Sequence, residues 1–192
     1  IIFFVFLNFE NNFSELFLSL TSSISNVGFS LNNSSNNLSF VFLILVIIGG
    51  SFFSTSSGIR FLKIYSLFKY SINEILSYSR PKNIYINKHL FSKDTFKLDE
   101  IYKYFLSVIV FIISLLILTF LLTLSGIDFE SSFKLSILTI MNTVNSSMFG
   151  LGDFSFYDLH FMTKYYLIFF MIIGRLELLT LLIICKKFLF KN

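Results

Sequence analysis

Residues 104–124 read YFLSVIVFIISLLILTFLLTL, a run of 21 residues without a charge. At about 1.5 Å per residue, a helix of that length spans the roughly 30 Å hydrocarbon core of a bilayer. The rest of the chain agrees. Its 192 residues are 55% hydrophobic and 14% charged, with a mean hydropathy of +0.78. A soluble domain of this size has a polar surface to cover and rarely reaches such values, so the class is integral membrane protein.

A second long apolar stretch, 157–190, is interrupted by Gly-Arg-Leu-Glu and is expected to run past the membrane into the cytoplasm. Residues 38–50 and 58–70 are each too short to span alone. Together they make one spanning element, 38–80, broken in its middle by IIGGSFFSTSSGIR at 47–60. Irregular backbone at membrane depth is tolerated only where it lines water or is buried in protein. Gly49, Gly50 and Gly58 supply hinge freedom there, and Ser51, Ser54, Thr55, Ser56 and Ser57 offer hydroxyls to the freed backbone groups. A kink used for close helix packing is the plainer reading of the same residues.

Two further stretches, 12–24 and 129–142, have the length of re-entrant or buried helices. Acids precede or open each, Glu10 in one case and Asp128 with Glu130 in the other, as suits the positive end of a helix dipole. Asp128 before Ser131 suits an N-cap. Each stretch ends in a polar run, SISNVGFS at 23–30 and NTVNSS at 142–147. The order of elements therefore occurs twice, and FENNF at 9–13 matches FESSF at 129–133. Such internal repeats in membrane proteins point to a pseudo-symmetric pore or transporter.

Charge sets the topology. Residues 60–103 hold nine of the fifteen Lys and Arg, and Lys186, Lys187 and Lys191 lie near the C-terminus. The positive-inside rule places both segments in the cytoplasm. Helix 104–124 then runs outward, and the short helix after it must dip in and return. Four acids within the basic segment (Glu74, Asp94, Asp99, Glu100) argue against nucleic acid as the partner and leave anionic lipid. Cys185 is the sole cysteine, which excludes an internal disulfide and a Cys-based metal site. His89 and His160 have no second ligand nearby. The 28 Phe resemble the drift of an AT-rich genome, and sequons such as those at Asn12, Asn33, Asn37 and Asn145 are expected by chance in so Asn- and Ser-rich a chain. The chain has no initiator Met and opens on IIFFVFL, which reads as the tail of a hydrophobic segment and hence as a C-terminal fragment of something longer.

Three motifs in order carry a family resemblance: Ser25-Asn26-Val27-Gly28-Phe29, then Ile48-Gly49-Gly50 with Ser54-Thr55 and Gly58-Ile59-Arg60, then Gly174-Arg175-Leu176-Glu177. The chain resembles the Trk/Ktr/HKT potassium transporters, specifically the membrane subunit of bacterial Trk systems, essentially throughout its length. That resemblance implies an all-α integral membrane fold of helix–re-entrant pore helix–helix repeats around a pseudo-fourfold ion pore. It makes residues 1–80 the end of the third repeat, 81–101 a cytoplasmic linker, and 102–192 the fourth repeat, with helix 102–124, pore helix 129–142, filter 143–148 and final helix 157–190. The implied filter comprises Ser25, Asn26, Val27, Gly28 and Phe29 with Thr143, Val144, Asn145 and Ser146, whose backbone carbonyls would replace the hydration shell of potassium. The fourth filter of the family has a glycine where this chain has Asn145 or, with a one-residue shift, Val144. Asn tolerates left-handed backbone. The implied gate is the loop Gly49–Gly58, made bulkier by Phe52 and Phe53 where the family has small residues, with Arg175 as a barrier to cations on the pore axis.

The resemblance further implies potassium as the transported ion, no cofactor and no catalysis in this chain, and a bacterial cytoplasmic membrane. Its partners would be the missing N-terminal repeats, a second copy in a homodimer, and a cytosolic nucleotide-binding regulatory subunit docked on the basic segment. The competing class is a membrane subunit of a respiratory or other energy-coupled complex. Such a subunit needs buried Lys, Glu or His relays along several helices, and 104–124 has none.

Overall fold

The structure, a computed structural model, describes residues 13–29, 39–49, 61–78, 98–145, 147–151, 154–157, 159–175 and 187. The regular secondary structure of these residues is helical. The helices are α1 (Phe13–Ile24), α2 (Ser39–Ile48), α3 (Phe61–Ser77), α4 (Leu98–Leu124), α5 (Phe129–Met141) and α6 (Phe161–Arg175), with a 3-10 turn at Ser147–Phe149 between the last two.

Helix α4 is the frame on which the rest is assembled. Its segment Glu100–Leu124 contains an 18-residue stretch with a mean hydropathy of 3.1 and is long and apolar enough to cross a membrane. Phe111, Leu115, Leu118 and Leu122 recur every three or four residues and are buried against α5 and α6. Ile112, Ile113, Leu116, Ile117 and Phe120 lie on the opposite face and are exposed. In water such a face would be a liability; in lipid it is the expected surface. The hydroxyls of Ser114, Thr119 and Thr123 donate back to carbonyls three or four residues earlier, so these three need no solvent partner. The turn after α4 reaches Gly126 with φ +86°. Nothing crowds a Cβ there, so backbone conformation alone favours glycine.

Helix α5 is short and enclosed. Thirteen residues make roughly 20 Å, less than the hydrocarbon thickness of about 30 Å. Yet every residue from Lys134 to Met141 is buried, wrapped by α2, α4 and α6. Its Ser132, Ser136 and Thr139 hydroxyls are satisfied by the carbonyls of Ile127, Ser132 and Leu135. Helix α1 uses the same device through Ser19, Thr21 and Ser23. It packs on α2 through Leu16 and Leu20, and Phe42, Leu43 and Val46 of α2 complete the junction with α5. Met148 and Phe149 of the 3-10 turn plug the centre, fully buried, with the Ser23 hydroxyl 3.7 Å from the Met148 sulfur. Helix α3 packs along α4, adding Ile64 to the edge of the core, and Lys63 reaches the Ser107 hydroxyl at 3.3 Å.

Several boundaries differ from those expected. Helix α4 starts at Leu98 rather than at 102, so the linker after residue 81 is shorter by one helical turn. Asp128 does occupy the N-cap position of α5, but its side chain makes no capping bond; its backbone carbonyl accepts the Ser132 N–H at 2.8 Å. The final helix begins at Phe161, not 157, because His160 ends the irregular segment: its Nδ1 accepts the Met162 N–H at 3.3 Å and its carbonyl the N–H groups of Thr163 and Lys164. Lys164 reaches back to the Tyr157 carbonyl at 3.0 Å. The matched motifs FENNF and FESSF are out of register with the helices: Phe13 closes the first motif and Phe129 opens the second. Phe13 and Phe129 each open a short helix, so the two motifs are about one helical turn out of register.

Candidate functional site

Both short helices end on an asparagine held in the left-handed conformation, Asn26 at φ 58° and Asn142 at φ 55°. Among the described residues these are the only non-glycine positions with positive φ. The bonding around them is the same. The Asn26 N–H donates to Ser23 O and the Val27 N–H to Ser22 O, at 3.2 and 3.0 Å. The Asn142 N–H donates to Thr139 O and the Thr143 N–H to Leu138 O, at 3.1 and 2.9 Å. This is the paired closure of a Schellman-type helix end, in which an αL residue returns the chain onto the last turn. It fixes the register between the halves: Ile24 with Ile140, Val27 with Thr143, Gly28 with Val144, and Phe29 with Asn145.

The side chains of the two asparagines do a second job. With its amide nitrogen turned toward the carbonyls it faces, Asn26 donates to Ser23 O at 3.2 Å and to Val46 O of α2 at 3.1 Å. Asn142 donates from Nδ2 to Met171 O of α6 at 3.0 Å. Three residues beyond each of those carbonyls stands a glycine in close contact with the same cap. A Cβ on Gly49 would lie 2.7 Å from Ile24 O and 3.0 Å from the Asn26 amide. A Cβ on Gly174 would overlap Ile140 O and lie 3.0 Å from Asn142 Nδ2. No side chain fits at either position.

The two turns meet directly. The Val144 N–H donates to the Val27 carbonyl at 3.2 Å. Gly28 has φ +82°, and a Cβ there would overlap Val144 O and stand 2.8 Å from the Thr143 methyl. Glycine is therefore required twice, for its conformation and for the close approach. Ser22 gathers the first turn: its carbonyl accepts from Val27 and Gly28, and its hydroxyl accepts the Phe29 N–H at 2.6 Å. Ser25 bonds back onto α1 through both its N–H and its hydroxyl. In the second turn Asn145 donates to Leu151 O at 3.2 Å. The Thr143 hydroxyl and Asn145 Oδ1 are buried with no hydrogen-bond partner among the described residues. Val144 and Phe29 project outward, 64% and 55% exposed.

The residues singled out in the sequence thus separate into three groups. The first turn, Ser25, Asn26, Val27, Gly28 and Phe29, meets the second, Thr143, Val144 and Asn145, through Val27 and Gly28 against Val144 and Thr143, while Ser146 lies outside the described residues. Gly49 abuts the first turn, and the rest of the expected gate, Gly50, Ser51, Phe52, Phe53, Ser54, Thr55, Ser56, Ser57 and Gly58, lies outside them. Arg175 is the last residue of α6 as described, exposed, and comes directly after the glycine that abuts the second turn. No ion pair holds it among the described residues. Of the two positions weighed for the missing glycine, Val144 is the one in register with Gly28, and neither it nor Asn145 takes positive φ. Sequence reading passed over Asn142, whose signal was the Ile-x-Asn shared by 24–26 and 140–142. At the other end of α5, Lys134 bonds the Glu130 carboxylate at 2.5 Å and holds it below the usual carboxylate range, first through that hydrogen bond and then through its charge.

A family model described as TrkH, a cation transport protein, matches residues 7–190. The crystal structure of the potassium transporter TrkH from Vibrio parahaemolyticus aligns with a TM-score of 0.76 at 20% identity, covering 95% of this chain and 41% of that one. At that identity the likeness is one of fold, and the chain spans well under half the length of the structure it matches. No curated protein sequence matches it.

Proposed function

The chain belongs to the TrkH family of cation transport proteins, and from that membership we propose that it contributes two of the turns lining a potassium pathway across a bacterial cytoplasmic membrane. The observation that carries this reading is the direct contact of the two turns, Val144 N–H to Val27 O, each turn ending a short helix too short to span. In this reading α1 and α5 dip into the membrane and return. Their last carbonyls and the partial negative charge of their C-termini then face the axis, where they stand in for water around a dehydrated cation. The Val27 carbonyl is shared with the Val144 N–H, and the buried Thr143 hydroxyl adds an oxygen beside Gly28.

The barrier lies beneath the turns. Gly49, the first residue of the proposed gate, and Gly174, which precedes Arg175, are equivalent in the register of the caps. A fixed positive charge there opposes a cation by Coulomb repulsion. The remaining repeats, a second copy and a nucleotide-binding regulator on the basic segment 60–103 complete the proposed assembly. The respiratory-subunit alternative gives way to the family assignment.

The test is potassium uptake by the complete transporter in a bacterium lacking its own potassium uptake systems. Growth at low potassium that is lost with Gly28→Ser, while the protein still reaches the membrane, is the expected result. Growth unaffected by Gly28→Ser would remove the first turn from the pathway.

A further inference from the structure

The asparagine amides are more than helix caps. A left-handed cap needs only a residue that tolerates positive φ, and glycine does so at no steric cost. Both halves use asparagine instead, and both spend its side chain on the same distant group, the carbonyl three residues before the glycine that touches the cap. The two polar atoms lie on helices separated in sequence from their caps, α2 in one half and α6 in the other. Each cap is thereby gripped from two sides, by an amide bond and by the close backbone approach at Gly49 or Gly174. The residues just past each cap, Val27 and Gly28 or Thr143 and Val144, take their position from that grip.

We propose that Asn26 and Asn142 are an equivalent pair of positioning residues that set how far each turn projects toward the ion path, and so determine ion selectivity without touching the ion. This rests on the potassium-pathway reading. The physical reason is that carbonyls on an untethered turn can close around a smaller cation, whereas carbonyls held at a fixed distance from the long helices favour one ionic radius. In metal sites the groups that orient the ligands matter nearly as much as the ligands.

The experiment uses the complete transporter in proteoliposomes and reads the ratio of potassium to sodium flux, a quantity independent of how much protein inserts. Asn26→Gly and Asn142→Gly keep the left-handed cap and delete the amide. Each is expected to lower the ratio about tenfold, the low end of the loss seen when a ligand-orienting group is removed. Total flux is expected to persist, which a merely structural weakening would not produce together with a changed ratio. An unchanged ratio in both variants overturns the proposal, as does a failure of both to insert, which would make the contact a folding contact alone. Absence of any potassium preference in the unaltered protein would instead overturn the pathway reading on which the proposal stands.

Discussion

The α1–α2 half and the α5–α6 half build the same junction from different sequences and then finish it differently. In the first half the helix stops one residue before its glycine, α2 ending at Ile48. In the second the helix carries on through Gly174 to Arg175. The turns diverge as well. The first places Gly28 in a left-handed conformation pressed against its neighbour, while the second puts Val144 at the matching position with ordinary φ and its side chain outward. The comparison teaches that the cap, not the glycine, is the shared structural unit. Asparagine turns the chain in both halves, and the residues beyond the turn differ, Val27-Gly28-Phe29 in one and Thr143-Val144-Asn145 in the other.

The comparison breaks most sharply at Gly28. Gly28→Ala meets both positive φ and the Val144 carbonyl, so a loss of about 1–3 kcal/mol from backbone strain is expected before any overlap is counted. Val144→Gly in the matching position should change stability far less. Thermal unfolding of the purified full-length protein measures both, and equal losses would mean the two turns are not distinguished as described.

Next come the glycines of the long helices. Gly174→Ala drives a methyl into the Ile140 carbonyl and should cost about 1–3 kcal/mol, the usual range for overpacking. Gly49→Ala, whose nearest atoms are 2.7 and 2.8 Å away, should cost less. A reversed order would show that the second junction is the looser one.

Thr143 and Val27 occupy matching positions, so Thr143→Val makes the second turn resemble the first. Its buried hydroxyl has no partner among the described residues, and removing it should raise stability by about 1 kcal/mol. A loss of stability would reveal a partner for that hydroxyl. The smallest effect concerns Glu130, exposed at the start of α5. Its folded-state pKa is lowered by Lys134, so its contribution is present above the ordinary carboxylate pKa and fades as pH falls through the lowered value. Glu130→Gln should therefore lower stability slightly at neutral pH, leave it unchanged below the lowered pKa, and so flatten the acid limb when thermal unfolding is followed against pH.

The features legible in the sequence were those that hydrophobicity and helix length decide. The uncharged run 104–124 and the short stretches 12–24 and 129–142 emerged as helices within a few residues. The junctions were not legible, because they depend on carbonyls, and a carbonyl has no letter in the sequence. Gly49 and Gly174 stood out by type, but their common role depends on Ile24 O and Ile140 O coming within reach. The repeat itself was visible and its register was not: the similar strings FENNF and FESSF drew attention from Ile-x-Asn, which marks the true equivalence. His160 hid the start of α6 for a like reason, since its capping nitrogen acts only once the chain has turned.

The central claim is that the turn at Gly28 forms part of the ion path. It is tested most directly by the flux ratio of potassium to sodium through the complete transporter in proteoliposomes, with Gly28 intact and with Gly28→Ser. The account predicts a clear potassium preference in the first case, and in the second a marked fall in that ratio from protein that still inserts and conducts. A ratio identical in the two proteins would contradict it.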